Sequence, residues 1–419
     1  MAHPHLPPGF RRILRRELHQ IATRPALAFM LVPLPLILFF ALAAVFAPGL
    51  PRDLPVAVVN LDGSPLSRQV VRMVDAAADV EVVEQLTTLT EARQALVAQR
   101  AYAILMIPAE MEHDLLLGQR PEIVIFSNSQ LLTAGGIVAR SMRTSVATFS
   151  AGVSLRLLEA QGIGTDVAMD LLTPIPVQQS PLFNPSLDYI QFLLSSVMPT
   201  VMQIFICATA VLSFSREHHS SNGMARLLRL SGTPTRAILG KLLPYTIMGS
   251  LVMLIGDVVL FSFFGASFRG NIFVFFLNGF MFILACQALG AFLALLAKDT
   301  TNGLGMMGLL VAPSFGFAGV SFPRFGMTLF AQGWAAIIPL TPYLEVRTDQ
   351  TLRGAPLEYS IPSLLWLLAQ LVVFAGLLWI MTYKTMRATP AAEENGVPDL
   401  AAEPQATVNQ TTDIQEGRA

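Results

Sequence analysis

Long uncharged runs alternate with charged stretches along this chain, and that alternation predicts its architecture. Residues 26–47 carry no charged side chain and end at Pro48-Gly49. At 1.5 Å of rise per residue, roughly 20 residues cross a hydrocarbon core of about 30 Å. This run is therefore transmembrane helix one, with Pro33 and Pro35 bending or breaking its start. Five more apolar runs, at 187–213, 242–265, 271–297, 303–320 and 361–381, predict helices two to six. Helix five is short, glycine-rich and interrupted by Pro313, a pattern that fits a kinked or re-entrant segment buried in protein. Before helix one, Phe10, Ile13, Leu14, Leu18 and Ile21 form one helical stripe among arginines. Residues 1–25 thus read as an amphipathic N-terminal helix lying at the membrane surface.

Between helices one and two the pattern changes. Residues 52–170 hold nine Arg and fourteen Asp or Glu. Strands are predicted at 55–60, 80–83, 102–107 and 122–126, and helices at 67–77, 90–99, 109–117 and 135–161. Thr90 is the expected cap of the second of these helices, and Ser64 and Ser67 sit where capping explains them better than nucleophilic chemistry does. Strands alternating with helices indicate a small α/β domain, placed at 48–186 together with a proline-rich linker from 172 to 185. The expected fold is an α-helical polytopic membrane protein with six transmembrane helices and an inserted α/β extracytoplasmic domain.

Arginine and lysine set the orientation. The N-terminal flank has five Arg against Glu17, the loop at 214–241 has Arg216, Arg226, Arg229, Arg236 and Lys241 against Glu217, and the last helix ends at Lys384 and Arg387. With six helices these three regions share a side, predicted to be cytoplasmic, and both termini lie there. The domain at 48–186 and the loop at 321–359 then lie outside. The first apolar run exceeds the 7–15-residue core of a signal peptide, so it reads as uncleaved. The polar tail, 388–419, is predicted to be disordered and cytoplasmic.

Composition agrees with a bilayer protein: 53% of the 419 residues are hydrophobic and 13% charged, with a net charge of −1. No basic field favours nucleic acid. Cys207 and Cys286 both fall in apolar segments, where thiols behave as small hydrophobes. No GxxxxGK[ST] phosphate loop occurs, and Gly240-Lys241 is followed by leucine. Adjacent His218 and His219 do not share a helical face, so they make a poor metal site, and His113 reads as a surface residue. Phe261, Phe263, Phe264, Phe273, Phe275 and Phe276 either line an apolar path or face lipid, and Trp334 and Trp379 suit opposite interface belts. Gly303, Gly305, Gly308, Gly316 and Gly319 allow close packing of helix five.

Two features carry candidate function. The loop from Ser215 to Pro244 contains a short helix with apolar Met224, Leu227, Leu228 and Leu230 and polar Arg226 and Arg229, closed by Gly232 and Pro234, with Thr233 or Thr235 starting the next helix. Such a helix either docks a soluble partner or is a solvated basic loop that fixes topology. Asp257 is the one charge read as deep in a helix. It is a proton relay, or it faces the bundle interior and bonds to hydroxyls or waters, or it lies near the outer interface.

The segments Val56-Ala-Val-Val-Asn-Leu-Asp-Gly-Ser64 and Tyr102-Ala-Ile-Leu-Met-Ile-Pro108 stand in the order and spacing of a known family. So do Glu217…Leu227-Leu228…Gly232-Thr-Pro234…Ile238-Leu-Gly-Lys241-Leu-Leu-Pro-Tyr245 and Phe322-Pro323…Met327…Ile338-Pro-Leu-Thr-Pro-Tyr343. Over residues 10–387 the chain resembles the membrane subunit of ABC-2 type exporters, in the subgroup with a large extracytoplasmic domain after helix one. Where that family often has Arg-Gly-Thr, this chain has Ser221-Asn222-Gly223. The resemblance implies an inner-membrane permease, not itself an enzyme, that pairs with an identical or paralogous permease and with two cytoplasmic ABC ATPase subunits that bind ATP and Mg. It implies drug or amphiphile efflux, in some members with a periplasmic adaptor protein and an outer-membrane channel. It assigns ATPase coupling to the N-terminal helix (Arg12, Arg16) and to the loop residues Glu217, Leu227, Leu228 and Lys241, and it places short helices at 323–345. Two other classes remain open on the residues: a membrane-anchored envelope assembly or sensor protein without an ATPase, and an ion-gradient-driven carrier. The carrier predicts that Asp257→Asn abolishes transport; the exporter predicts a modest effect.

Overall fold

The computed structural model describes residues 9–47, 52–128, 130, 132–172, 182–184, 188–218 and 223–394, which separate into two compact units, Phe46–Tyr189 and the remainder. The chain opens with α1 (Phe10–Thr23), α2 (Pro25–Leu31) and α3 (Pro33–Phe46). The break at Val32 precedes Pro33, whose ring disfavours helical backbone in the residue before it. On α1 the buried positions are Ile13, Glu17 and Ile21. The expected stripe is therefore rotated: Leu18 is exposed, and a carboxylate takes the inward position.

In the unit Phe46–Tyr189 the order is β1 (Leu54–Asn60), α4 (Pro65–Asp75), β2 (Val80–Leu86), α5 (Leu89–Val97), β3 (Ala103–Ile107), α6 (Met111–Leu116), β4 (Val124–Ser127), α7 (Leu132–Ala160) and α8 (Thr165–Leu172). The sheet runs β2-β1-β3-β4, with β1 parallel to β2 and β3, and β4 antiparallel at the edge. β1 is buried on both faces, the mark of a central strand in a parallel arrangement. Val56 and Val58 pack with Val70, Val74 and Met142, while Ala57 packs with Ala95 and Val59 with Ala92. Ser64 caps α4, accepting from Ser67 N–H at 3.0 Å. Thr88, not Thr90, caps α5, because the helix starts one residue earlier than its apolar pattern suggests. Most of the proline-rich linker lies outside the described residues.

The second unit continues from a π-turn, Ile190–Leu194, into α9 (Ser195–Ser215), then α10 (Gly223–Ser231) and α11 (Pro234–Val258), which is extended to Phe263 by a π-turn. It goes on through α12 (Ile272–Ala297), α13 (Thr300–Val311), α14 (Ser314–Phe317), α15 (Leu329–Ile337), α16 (Leu340–Thr348) and α17 (Leu357–Glu394). Among the described residues five helical stretches are long and apolar enough to cross a membrane: Pro25–Phe46, Ile190–Ser215, Pro234–Phe263, Ile272–Ala297 and Leu357–Arg387. The run at 303–320 is not a single helix. α13 has 12 residues, about 18 Å, and Pro313 separates it from the four-residue α14. The pieces nonetheless follow α9 for most of its length. Thr300 shares a cavity with Arg216, Ser314 Oγ accepts from Gln203 Nε2 at 3.2 Å, and Ala318 lines a cleft with Ser195.

α17 runs past Arg387 to Glu394, so residues 388–394, expected in the tail, are helical; 395–419 lie outside the described residues. Ser221, Asn222 and His219 also lie outside them. The core is built on α9, α12 and α17. Gly290 permits a close approach of α12 to α9: a Cβ there would sit 2.4 Å from Cys207 O. Cys207 and Cys286 meet at this crossing as free thiols, Cys207 Sγ donating to Cys286 O at 3.2 Å.

Gly290→Leu is expected to lower the thermal midpoint of the detergent-solubilised protein, overpacking of this kind costing about 1–3 kcal/mol. Gly279→Leu on the same helix, where an added Cβ meets nothing within 4 Å, is expected to leave the midpoint unchanged.

Candidate functional site

The sequence-level candidates Arg16, Glu217 and Lys241 converge beneath α1, joined by Glu17, Arg216 and Tyr245. Lys241, fully buried on the first turns of α11, is bonded to two carboxylates. Its Nζ lies 2.8 Å from Glu17 Oε1 and 2.8 Å from Glu217 Oε1, and 5.6 Å from the centre of the Phe214 ring. Arg16 Nη2 reaches Glu217 Oε1 at 3.0 Å. Arg216 Nη2 lies 3.2 Å from Glu17 Oε2 and donates to Tyr245 OH at 2.7 Å, and that hydroxyl donates back to Glu17 Oε2 at 3.2 Å. Burying a charge is tolerated when geometry and extra hydrogen bonds replace the lost water, and here every carboxylate oxygen has a partner.

Local sequence builds this arrangement. Thr233 caps α11 after Gly232 turns the chain at φ +77°, which fixes the register that brings Lys241 inward two turns later. Gly240 lets α1 lie flat on α11: a Cβ would come within 2.8 Å of Ile13 Cβ. Gly9 N–H donates to Leu230 O at 2.9 Å, tying α1 to the end of α10. Burial alone would raise the Glu217 carboxyl, but the Lys241 ammonium and the Arg16 guanidinium outweigh it and hold the group below its ordinary value of 4.5.

The residues to which the resemblance assigns coupling are not an exposed face. Glu217, Leu227 and Lys241 are buried and Leu228 is half-buried; Leu227 belongs to the main core with Phe214 and Ile13. Arg12 is half-buried on α1. The arginines that α10 and α1 leave exposed are Arg226, Arg229, Arg11 and Arg15. Glu17 and Arg216 escaped sequence reasoning because they looked like ordinary flank charges. The signal was present as Glu17 placed one turn from Ile13 and Ile21 on an otherwise apolar stripe.

A second ionic site lies at the opposite end of the bundle. Asp257 Oδ1 pairs with Arg347 Nη2 at 2.7 Å, so among the described residues its partner is a guanidinium rather than a hydroxyl. Arg347, on α16, is fully buried. It also donates to Tyr343 OH at 2.9 Å and Ser195 Oγ at 3.4 Å, and lies 5.1 and 5.9 Å from the Phe275 and Phe261 ring centres. Tyr343 stacks on Phe282 at 4.2 Å, and its carbonyl accepts from Asn278 Nδ2 at 3.0 Å. Arg347 was missed because it stands in a segment with ordinary loop composition. The modest effect expected of Asp257→Asn no longer follows, since that change strands a buried guanidinium. Beside this site a polar cleft of about 560 Å³ is lined by Ser195, Ser196, Arg324, Glu345, Asp349 and Arg353 among others. Trp334 is half-buried, donating to Leu310 O at 3.2 Å, and Trp379 donates to Thr235 Oγ1 at 3.3 Å. No cluster of three or more His, Cys, Asp or Glu able to hold a metal occurs among the described residues.

An amphipathic helix is thus clamped to the bundle by buried charge, and the profile of the ABC-2 family transporter proteins matches residues 25–380. The chain belongs to the ABC-2 transporter family. It is 22% identical over 390 residues to the probable multidrug ABC transporter permease YbhS of Escherichia coli (strain K12), covering 90% of this chain and 97% of that one. It is 24% identical over 341 residues to the inner membrane transport permease YhhJ of the same strain, covering 78% and 84%. This ABC-2 chain is thus a multi-pass membrane permease subunit of an ABC transporter, a class that works with ABC ATPase subunits.

Lys241→Ala, which leaves two buried carboxylates facing each other, is expected to cost about 3–5 kcal/mol and to speed tryptic cleavage at Arg11 and Arg15. Glu17→Gln, Lys241→Met and Glu217→Gln combined are expected to recover much of that stability. A depressed carboxyl stabilises above its unfolded pKa and loses that contribution as pH falls through the folded value. The stability difference between wild type and Glu217→Gln is therefore expected to hold from about pH 8 to 5 and to shrink below 4.5, read as thermal midpoints in detergent.

Proposed function

We propose that this chain is the transmembrane half of an ATP-driven exporter that moves drugs or other amphiphiles out of the cytoplasm or the inner membrane. The observation that carries the reading is the buried cluster Glu17–Lys241–Glu217. It joins α1 and the α10 loop to the foot of α11, so a push on either surface element is delivered to a membrane-crossing helix. In this reading the bound ATP and Mg belong to the partner ATPase, and closure of two such subunits drives a dimeric pore, built with an identical or paralogous permease, between inward- and outward-facing states.

The charge cluster then lies on the cytoplasmic side with both termini, and the Asp257–Arg347 pair lies toward the outside. α13 and α14 together make the sixth crossing, interrupted at Pro313; their course along α9 supports this. The α/β unit, after the first crossing, is extracytoplasmic and gates exit or receives a periplasmic adaptor that leads to an outer-membrane channel. Because Glu217 and Lys241 are buried, they and Arg16 position the coupling surface, while exposed Arg226 and Arg229 touch the ATPase. The name of YbhS, a probable multidrug permease, supports the substrate class.

Co-purification from the native host tests this. The permease is expected to bring down an ABC ATPase subunit, and Arg226→Glu with Arg229→Glu to reduce the recovered ATPase about tenfold, as for loss of about 1.4 kcal/mol, with an unchanged elution profile of the permease. Export that persists in a preparation free of any ATPase would overturn it.

A further inference from the structure

A groove of about 260 Å³ opens on the side of the bundle between α11 and α12. Its outer lip is formed by Leu254, Phe276 and Phe280, each 42–49% exposed, on two helices that are long and apolar enough to cross a membrane. Its floor is Gly279, whose missing side chain leaves open space, and its inner end is Asp257. Asp257 Oδ1 is held by Arg347, and Oδ2 has no hydrogen-bond partner among the described residues. The carboxylate is thus half used, and it lines an otherwise largely apolar slot.

The walls indicate which charge this slot accepts. Aromatic ring faces are electron-rich and attract cations. Phe275, which lines the groove, already lies 5.1 Å from the Arg347 guanidinium, and Phe276, Phe280 and Tyr343 line the same space. An anion there meets a carboxylate and ring faces. A cation meets both as attractions, offset in part by the Arg347 guanidinium that holds Oδ1, and it reaches Oδ2 without releasing Arg347, which keeps Tyr343, Ser195 and its own ring contacts. We infer that this groove binds an amphiphilic ammonium entering sideways from the lipid, with its apolar body against Phe276 and Phe280 and its charged head on Asp257. The carboxylate then bridges two cations, the guanidinium and the ligand. The slot volume is below the 300–1,000 Å³ of drug-sized pockets, so it takes a single chain or small ring and leaves a larger body at the lip. This inference rests on the permease reading for its purpose and concerns the substrate end of the same machine.

The test is photolabelling of the full-length purified protein in lipid nanodiscs, with no ATPase present, so that its outcome is independent of coupling. The probes are a twelve-carbon primary ammonium bearing a terminal diazirine and the matched neutral alcohol, mapped by mass spectrometry. The ammonium is expected to label α11 and α12 around Leu254 and Phe280 at least about tenfold more than the alcohol, as for a charge-assisted hydrogen bond. Asp257→Asn is expected to abolish that preference and Asp257→Glu to retain part of it. Gly279→Leu leaves the ion pair intact and fills the floor, and is expected to lose ammonium labelling as well, which keeps the test decisive if Asp257→Asn misfolds. Equal labelling by ammonium and alcohol in the wild type, or ammonium labelling unchanged in Gly279→Leu, would overturn the inference while leaving the exporter reading standing.

Discussion

A single ammonium organises one end of this molecule. Lys241 is inaccessible to water and is bonded to a carboxylate on α1 and to another just past α9. Removing water from an ammonium and two carboxylates costs far more than any one contact returns, so the arrangement persists only because Arg16, Arg216 and Tyr245 complete it. Five ionised groups, three positive and two negative, are tied in one bonded set. Such a set resists gradual deformation: α1 either stays seated or leaves as a unit. The proposed coupling role, in which α1 passes force on to α11, requires this property.

The opposite end repeats the principle with different parts. Arg347 is held by one carboxylate, two hydroxyls and two aromatic rings. These contacts tether α16, which does not itself cross, to α9, α11 and α12. Between the two ends the bundle relies on close packing of small residues: Gly290 against the Cys207 backbone, and Gly256 against Met198, whose Cε would stand 2.1 Å from an added Cβ. Ionic sites fix the ends, and tight helix crossings fix the middle. The interrupted pair α13–α14 fits this plan because a run broken by Pro313 can still follow α9 where neighbouring side chains such as Gln203 reach it.

The chain's amino acids taken in order were enough for the elements whose cause is local. The five long apolar helices, the strand-helix alternation after the first of them, the Ser64 cap and the Gly232 turn all follow from hydropathy, backbone freedom and side-chain reach within a few residues, while the choice between Thr233 and Thr235 as the α11 cap was left to the structure. What failed was non-local in origin. The stripe on α1 was drawn through Leu18, because a carboxylate is normally an outward residue; Glu17 turns inward only because Lys241, 224 positions away, is there to meet it. Asp257 stood out as a charge in an apolar run, yet its partner lies 90 positions on in a segment of unremarkable composition.

Hydrophobicity along the chain therefore determined where the helices are and how many charges must be accounted for, because transfer out of water depends on each segment's own composition. Which charges neutralise one another, whether the coupling residues face a partner or the core, and how the broken run at 300–317 is accommodated were decided only when the helices packed. Pairing energy depends on distances between residues that the sequence leaves far apart.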